Sequence, residues 1–267
     1  MTYVYPVVSR RAGGVSVGVN LNPNNACNWA CVYCQVPNLV RGTAPDIDLV
    51  RLETELRAML ADILHGDFMQ TRVPEGARRL NDIALSGNGE PTSAKAFPRV
   101  IELIGQVMSD VGLAGTIKLV LITNGSLIDR PRVQEGLRKM AALNGEVWFK
   151  FDSATASGMR AINQTRISPD RQFERLTIAA SLCPTWLQTC VFARDGMPPS
   201  ASEQAAYLDR VAHIRQQSIP VRGVLLYGLA RQSMQPQASR LEALPAEWLN
   251  GFADSIRAAG LPVKVSL

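Results

Sequence analysis

The sequence lacks the features that mark several classes of protein. Its 267 residues contain no apolar run near the roughly 20 residues that a membrane helix needs. The opening segment, MTYVYPVVSRRAGG, has no apolar signal-peptide core followed by a small-residue cleavage site. We find no low-complexity segment, no linker and no short repeat. These absences lead us to expect a soluble cytoplasmic protein, with no membrane partner, that folds as a single domain over residues 1–267.

Metal-binding residue types are scarce. The chain has only two histidines, His65 and His213, and five cysteines. Both histidines lie in segments with helical periodicity, far from the three cysteines that cluster near the start of the chain. In a reducing compartment, clustered cysteines more often bind metal or perform catalysis than form disulfides.

The charge composition is mildly basic and excludes little. The formal net charge is +5 and the isoelectric point is near 9.1. The arginines are scattered along the chain, which favours an ordinary solvated surface. A nucleic-acid substrate stays open, because a phosphate-binding face can be assembled from scattered arginines. The apolar content of 46% and the charged content of 19% are typical of a globular protein with a sizeable core.

Strand-like and helix-like segments alternate along the chain, and several strand segments are continuously apolar, as in strands buried on both faces. This alternation predicts a parallel sheet covered by helices, with about six strand–helix units. The predicted strands cover residues 15–22, 81–87, 117–125, 146–154, 185–193 and 220–231, with a short strand or tail at 261–267. The predicted helices cover residues 48–66, 98–111, 132–143, 170–182, 202–217 and 246–259.

Six units are fewer than the eight of a complete barrel, so they suit an incomplete barrel or an open doubly wound sheet. We predict an α/β fold, a partial (β/α)6 TIM-like barrel. Its core would span about 15–231, with a C-terminal helix and short strand at 244–267. In either architecture the active site lies at the carboxyl ends of the strands.

A cluster of cysteines follows the first predicted strand. In NNACNWACVYCQV, Cys27, Cys31 and Cys34 form the pattern CxxxCxxC, and Tyr33 precedes the last thiol. Iron–sulfur clusters that only carry electrons normally have four cysteines, and structural zinc sites have four closed ligands. Three thiolates would leave one iron of a cubane open to bind and activate another molecule, which points to catalysis. A zinc site completed by Cys183 or Cys190 is the alternative.

A second motif, SGNGEPT at residues 86–92, follows the second predicted strand. By itself this segment could be only a strand-to-helix turn, since Gly, Asn and Pro are common turn residues. Together the two motifs are more specific. The cysteine pattern resembles the signature of the radical S-adenosylmethionine superfamily, and SGNGEPT resembles that family's glycine-rich GGEP-type loop.

Five segments, CNWACVYCQV, GNGEPT, LITNGSL, KFDSA and INQTR, most resemble the wyosine-synthetase-like branch of the superfamily. The resemblance extends from about Val15 to Arg231, and characterised members of the branch act on a modified guanosine of tRNA. It implies that Cys27, Cys31 and Cys34 ligate one 4Fe–4S cluster. The open iron would chelate the amino and carboxylate groups of S-adenosylmethionine. An external donor such as flavodoxin or ferredoxin would supply one electron, and the resulting 5′-deoxyadenosyl radical would abstract hydrogen from the substrate.

The resemblance also implies which residues contact S-adenosylmethionine. Glycines would let backbone carbonyls approach its ammonium group, and other residues would meet its ribose, carboxylate and adenine. The candidates are Gly87, Asn88 and Gly89 for the ammonium, with Glu90 and Pro91 fixing the turn; Asn124, Asp152 and Ser153 for the ribose; Lys150 or Gln188 for the carboxylate; and the backbone near Tyr33, with Tyr227 and Leu229, for the adenine. Lys150 is also the candidate catalytic residue.

Several of these residues have a simpler interpretation. The TNG of residues 123–125 is typical of a turn, and Lys150 could extend its stem over apolar neighbours or pair with Asp152. Tyr227 could be a core residue. We interpret Cys183 and Cys190 as structural, because buried cysteines behave as small hydrophobic residues. The INQTR segment, with Asn163 and Arg166, is interpreted as the end of a helix, and a role of Arg166 in binding an anionic substrate is the alternative.

The chain departs from the wyosine synthases at its start. Archaeal members of that group have extra cysteines before the CxxxCxxC motif for a second cluster, and a lysine there that forms an imine with pyruvate. Residues 1–26 contain no cysteine and no lysine. We therefore expect a single-cluster enzyme whose substrate is a tRNA base or, as the alternative, a peptide or small metabolite. A non-catalytic zinc or electron-transfer iron–sulfur protein is the second alternative.

Overall fold

The fold is a curved sheet whose strands alternate with helices along the chain. A computed structural model describes residues 1–9 and 13–266. The strands are β1 Val4–Ser9, β2 Gly14–Val19, β3 Ala26–Cys27, β4 Val40–Arg41, β5 Leu80–Leu85, β6 Lys118–Thr123, β7 Gly145–Lys150, β8 Thr185–Cys190, β9 Ala193–Arg194, β10 Val221–Tyr227, β11 Leu241–Glu242 and β12 Val263–Ser266. The two-residue strands form the small pairs β3–β4 and β9–β11.

The main sheet has eight strands in the order β1-β2-β5-β6-β7-β8-β10-β12. Strand β1 is antiparallel to β2, and the other neighbours are parallel. The spatial order therefore follows the chain order without a reversal. A doubly wound sheet reverses its order at a switch point, so the predicted partial barrel is confirmed.

The six strands that the sequence predicts form the middle of this sheet, in β2, β5, β6, β7, β8 and β10. The final predicted segment is a seventh parallel strand, β12, and its last residue, Leu267, lies outside the described residues. The sequence analysis missed β1, which pairs with β2 at one edge of the sheet.

The predicted helices are present with ends shifted by a few residues at most, and the sequence analysis missed the short helices α2 and α5. Local capping explains two of the starts. The Asp48 carboxylate accepts a hydrogen bond from Arg51 N at 3.0 Å, and Thr155 Oγ1 accepts one from Gly158 N at 2.9 Å. The helices are α1 Leu49–His65, α2 Phe68–Arg72, α3 Phe97–Asp110, α4 Pro131–Ala142, α5 Ala156–Asn163, α6 Pro169–Leu182, α7 Ala201–Gln216 and α8 Ala246–Ala258, with 3₁₀ turns at Glu75–Ala77, Pro91–Ser93 and Ala238–Arg240.

The strands divide their side chains between two faces with a period of two. One face packs in the main hydrophobic core with the helices, through residues such as Val17, Ile83, Leu119, Phe149 and Leu187. The alternate residues line a cavity inside the curved sheet, and they include Ser16, Asp82, Trp148, Lys150 and Gln188. The inner face thus carries the polar groups. Among the described residues, no helix is long and apolar enough to cross a membrane.

Candidate active site

The cavity has a volume of about 450 Å³, and it is walled by the inner faces of the strands and by the loop of the three cysteines. Such a volume is typical of a site for a cofactor-sized molecule. Of the predicted site residues, those that line it are Cys27, Cys31, Tyr33, Cys34, Gly87, Asn88, Gly89, Glu90, Asn124, Lys150, Gln188, Tyr227 and Leu229. Pro91, Asp152 and Ser153 do not line it.

The cysteine loop presents its thiols to this cavity. Cys27, Cys31 and Cys34 form no disulfide, and Cys34 N donates to Cys31 O at 3.0 Å in a tight turn. The segment after β10 holds the end of the loop: Ser233 Oγ donates to Val32 O at 2.7 Å and Met234 N donates to Cys34 O at 2.9 Å. These bonds join two segments about 200 residues apart in the chain, next to Cys34.

Amide groups from other elements approach two of the thiols. Asn163 Nδ2, at the end of α5, lies 3.3 Å from Cys31 Sγ, and Asn124 Nδ2, after β6, lies 4.0 Å from Cys27 Sγ. Burial raises the pKa of Cys27 to about 12 and that of Cys31 to about 11, so both are neutral thiols in the metal-free protein. A bound metal would stabilise the thiolates, and N–H donors beside sulfur are a common way to tune such a site.

The other two cysteines occupy different positions. Cys183 precedes β8, and its Sγ lies 3.5 Å from Gly145 O at the start of β7. Strand β8 separates it from the carboxyl ends of the strands by about 20 Å at 3.3 Å per residue, so Cys183 cannot join the loop cysteines at one metal. Cys190, at the end of β8, lies at the cavity wall. Among the described residues, no three His, Cys, Asp or Glu side chains are placed to hold a single metal ion.

The glycines of the GNGEPT loop allow it to lie directly against the cysteine loop. Gly87 has φ +123°, and a Cβ there would come within 2.7 Å of Asn20 Oδ1. A Cβ on Gly89 would collide with Ala26 O. Asn20 Oδ1 accepts hydrogen bonds from Asn88 N at 3.1 Å and from Asn22 N at 3.0 Å. The two motif loops are therefore one packed unit, and a side chain at either glycine would separate them.

Glu90 connects the two packed motif loops to the end of β6. Its buried carboxylate accepts hydrogen bonds from Thr92 N (3.1 Å), Thr92 Oγ1 (2.6 Å), Thr123 Oγ1 (2.6 Å) and Asn124 N (2.7 Å). Burial raises the pKa of Glu90 even though these donors favour the carboxylate. With four donors on its two oxygens, Glu90 is a positioning residue for the loop and for Asn124.

A hydrogen-bonded chain runs from the cavity into the wall behind it. Lys150 Nζ donates to Tyr33 Oη at 2.9 Å, and Tyr33 Oη donates to Asp152 Oδ2 at 2.5 Å. Burial alone would lower the pKa of Lys150, but the nearby acidic groups Tyr227 and Asp152 hold it above its usual range. Burial, followed by the charge of Asp152, raises the pKa of Tyr33 well above its usual value. Lys150 is therefore a cation and Tyr33 a neutral phenol at physiological pH.

The oxygens of Asp152 are engaged within the protein. Besides Tyr33, they accept Asn163 Nδ2 at 2.7 Å and Cys190 N at 2.9 Å. Asp152 therefore ties the cysteine loop, α5 and β8 together. Its assignment to the ribose, which the sequence suggests, stays a prediction.

Ser153 and Pro91 lie away from the thiols. Ser153 Oγ donates to Glu203 Oε2 at 2.7 Å and lines a second cavity of about 250 Å³, behind the end of β8. Pro91 begins the buried 3₁₀ turn that Glu90 caps. The structure thus separates these two residues from the predicted cofactor contacts, and their assignment also stays a prediction.

Gln188 is the most informative residue of the inner face. It is 1% exposed, and neither its amide nitrogen nor its amide oxygen has a hydrogen-bond partner among the described residues. A buried amide left unpaired costs about 1–3 kcal/mol, which a ligand with a donor and an acceptor would recover. Trp29 Nε1, also at this cavity, is buried without a partner in the same part of the chain.

Sequence reasoning missed four residues that shape the site: Asn20, Asn22, Asn163 and Trp29. Asn163 was interpreted only as the end of a helix, and α5 does end there. Its contacts with Cys31 and Asp152 depend on an approach of α5 to the loop that spacing does not reveal. A sequence signal for Asn20 and Asn22 exists: asparagine alternates with apolar residues just after β2.

Part of the sequence is similar to proteins named UPF0026. A UPF0026 protein of Helicobacter pylori strain J99 is 30% identical over 135 residues, which are 50% of this chain and 38% of that protein. A UPF0026 protein of Synechocystis, slr1464, is 29% identical over 162 residues, 60% of this chain and 52% of that protein. The matched part is thus only about two fifths to one half of these curated relatives. No protein-family model matches the chain.

Solved structures with a similar fold include radical S-adenosylmethionine enzymes. A radical SAM methyltransferase from Sphaerobacter thermophilus has a TM-score of 0.62 and 14% identity, covering 95% of this chain and 66% of that one. A structure of TYW1 with a lysine–pyruvate adduct bound has a TM-score of 0.59 and 15% identity, covering 92% of this chain and 74% of that one. The fold of this chain is therefore that of the radical S-adenosylmethionine enzymes, as the motifs indicate.

Proposed function

We propose that this chain is a radical S-adenosylmethionine enzyme with one 4Fe–4S cluster on Cys27, Cys31 and Cys34. The observation that carries the proposal is one shared cavity. It is lined by three thiols without a disulfide, by the GNGE loop and by the unpaired amide of Gln188. When bound, the cluster and S-adenosylmethionine would supply a 5′-deoxyadenosyl radical that abstracts hydrogen from the substrate.

The residues fit this pair of groups. Three soft thiolate donors suit an iron–sulfur cluster, and the buried amides of Asn124 and Asn163 point at two of the thiols. The close contact of the two motif loops leaves backbone groups at the cavity, where the ammonium of an amino acid could bind. Gln188 offers one donor and one acceptor from the floor of the same space.

The side chains of this protein would bind and orient the cofactor and shield it from water. Lys150 and Asp152, linked through Tyr33, hold the cysteine loop against β7 and keep a positive charge at the cavity. That charge can neutralise a carboxylate or phosphate of a bound molecule. The buried rings of Trp29 and Tyr33 at the cavity wall would shield reactive species from water and so from side reactions.

We take an RNA base as the first candidate for the substrate. The support is the net charge of +5 and the resemblance to the wyosine-synthetase-like branch. A peptide or small metabolite is the alternative class. Whether S-adenosylmethionine is consumed or regenerated depends on the substrate.

The test is reductive cleavage without a substrate. The protein is reconstituted anaerobically with iron and sulfide, reduced with dithionite and mixed with S-adenosylmethionine, and 5′-deoxyadenosine is measured by mass spectrometry. We expect product from the wild type and from Cys183→Ala, and none from Cys31→Ala. A protein that carries a full cluster yet neither binds nor cleaves S-adenosylmethionine would contradict the proposal. A colourless protein that takes up only zinc would favour the non-catalytic alternative.

A further inference from the structure

The outer side of the cysteine loop faces away from the cavity. The side chains of Cys27, Trp29, Cys31 and Tyr33 line the cavity, whereas the residues between them do not. The backbone of those intervening residues meets α5 instead: Ala30 N donates to Asn163 O at 3.3 Å, and Val32 N donates to Ile162 O at 2.8 Å. The last turn of α5 is therefore the layer directly behind the thiols.

Four arginines surround this layer, and we call them the arginine patch: Arg41, Arg160, Arg166 and Arg194. Arg41 donates to Asn28 O at 2.6 Å and also to Gln164 O, so it bridges the cysteine loop and the end of α5. Arg194 Nη1 lies 3.5 Å from Ala161 O, and Gln164 Nε2 donates to Arg160 O at 3.1 Å. Arg166 follows two residues after Gln164 and is exposed.

The carboxylate of Asp195 interacts electrostatically with Arg194, but the patch contains no ion pair at contact distance among the described residues. None of the four arginines forms an ion pair among the described residues, whereas Arg57, Arg171, Arg210 and others do. The acidic neighbour of Arg194, Asp195, is held by two hydrogen bonds from Arg240 at 2.7 and 2.5 Å. Arg41, Arg160 and Arg166 therefore present positive charge to solvent around the end of α5.

Helix stabilisation explains only part of the patch. Cations at a helix C-terminus are favourable because they offset its partial negative charge, and Arg41 and Arg194 contact carbonyls there. The side chains of Arg160 and Arg166 are exposed and make no hydrogen bond or ion pair among the residues that the structure describes. Beside Arg41, Val40 is 52% exposed. An exposed apolar residue surrounded by charged residues is typical of transient protein interfaces.

We propose that the arginine patch is the docking surface for an acidic electron-donor protein, a flavodoxin. This inference rests on the proposed function, which requires an external reductant. One electron would pass from the reduced flavin, which is oxidised, to the cluster, which is reduced, and no bond forms or breaks. A donor on the patch would lie behind Cys31 with only the end of α5 between them. An RNA substrate must reach the cavity on the opposite side of the loop, so we assign the patch to the donor.

The test separates donor docking from catalysis. Arg160→Glu/Arg166→Glu is compared with Arg99→Glu/Arg138→Glu, a matched control with the same charge change on the exposed faces of α3 and α4. Binding of fluorescently labelled flavodoxin is measured by anisotropy at several salt concentrations. The 5′-deoxyadenosine rate is measured with reduced flavodoxin and, separately, with dithionite.

We expect the patch variant to bind flavodoxin about tenfold more weakly at low salt, with the difference shrinking as salt rises. The flavodoxin-driven rate should fall in parallel, while the dithionite-driven rate and the matched control stay unchanged. Arg160→Gln/Arg166→Gln should show a smaller loss, which excludes unfolding of α5 as the cause.

Equal flavodoxin binding by the wild type and the patch variant would overturn the inference. So would an equal loss in the matched control, or a variant that loses tRNA binding but keeps flavodoxin binding. Failure of the proposed function looks different, because dithionite would then give no 5′-deoxyadenosine even from the wild type. The anisotropy measurement would still report on the patch in that case.

Discussion

The two cavities that meet at the end of β8 differ in how their polar groups are satisfied. The larger one contains three thiols, the unpaired amide of Gln188 and the unpaired Trp29 Nε1. In the smaller one, polar groups bond within the protein: Thr189 Oγ1 lies 2.7 Å from Tyr207 Oη, and Ser153 Oγ donates to Glu203. Unpaired buried groups signal a missing ligand, whereas satisfied ones only complete the packing. Gln188 and Thr189 are adjacent in β8, so the pleat of one strand separates a binding site from a packing defect.

The strongest test of this comparison removes one cysteine of the cysteine loop and, separately, the cysteine at the wall between the two cavities. We expect Cys34→Ala to lower iron binding by more than about 100-fold, because a direct ligand matters at least as much as an outer-shell partner. Cys190→Ala should keep its iron, since we interpret Cys190 as a structural residue of the wall. Iron per protein and visible absorbance after anaerobic reconstitution measure both. Loss of iron in Cys190→Ala would mean that the wall itself contributes a ligand.

A second prediction concerns Asp152, which lines the smaller cavity and accepts a hydrogen bond from Tyr33 at the larger one. In Asp152→Asn the new amide would face the donors Tyr33 Oη, Asn163 Nδ2 and Cys190 N. We expect the free energy of unfolding to fall by about 2–4 kcal/mol, because the buried network loses the charge and one of its two acceptor oxygens, and a donor replaces that oxygen. Urea unfolding of the metal-free protein measures this effect. Asp110→Asn, an exposed change on α3, should cost less than about 1 kcal/mol.

Glu55 provides a reference for stability far from both cavities. Burial would raise its pKa, but N–H groups of Thr2, Tyr3 and Val4 and the Arg51 side chain outweigh it and lower the pKa to about 2. A carboxyl whose pKa is depressed on folding stabilises the protein above its unfolded value near 4.3, and this stability is lost as pH falls toward 2.

We expect Glu55→Gln to lower the free energy of unfolding at pH 7 by about 2 kcal/mol. Between pH 4.5 and pH 2 the gap to the wild type should close, since the wild type alone loses this contribution. Denaturant unfolding at a series of pH values measures it. A gap that stays constant over that range would show that the Glu55 carboxylate is not specially stabilised by folding.

The smallest effects come from substitutions of the neighbouring residues Gln188 and Thr189 in β8. Their effects on the stability of the ligand-free protein should have opposite signs. Gln188→Leu removes an unpaired buried amide, so we expect the ligand-free protein to gain about 1 kcal/mol while binding S-adenosylmethionine about tenfold more weakly. Thr189→Val breaks the bond with Tyr207 and should cost about 1 kcal/mol without changing ligand binding. Thermal unfolding and equilibrium dialysis with labelled S-adenosylmethionine measure the two quantities. Unchanged affinity in Gln188→Leu would remove this residue from the site.

Much of the fold was predictable because its signals are local. Continuously apolar segments bounded by turn residues predicted the six central strands, and periodic apolar residues predicted most of the helices. Strand β1 was missed because it belongs to an antiparallel hairpin outside the repeating pattern. Helix α5 was missed because its eight residues are too few to show a clear period.

The candidate site was predictable in part for the same reason. The cysteine spacing and the GNGEPT motif are local patterns, and both loops do lie at one cavity. The predicted contacts of Asp152 and Ser153 follow from a position after β7, but a position does not specify where a side chain points. In the structure their oxygens bond to Asn163, Cys190 and Glu203, which approach from elements far along the chain.

The sequence by itself determined the order of strands and helices and the pair of motif loops, because each depends on residues that are close along the chain. Only the tertiary structure decided that Asn163 meets Cys31, that Gln188 is left unpaired and that Arg41 contacts the end of α5 behind the thiols. The physical reason is that burial and hydrogen bonding depend on neighbours in space, and those neighbours come together only when distant strands pair.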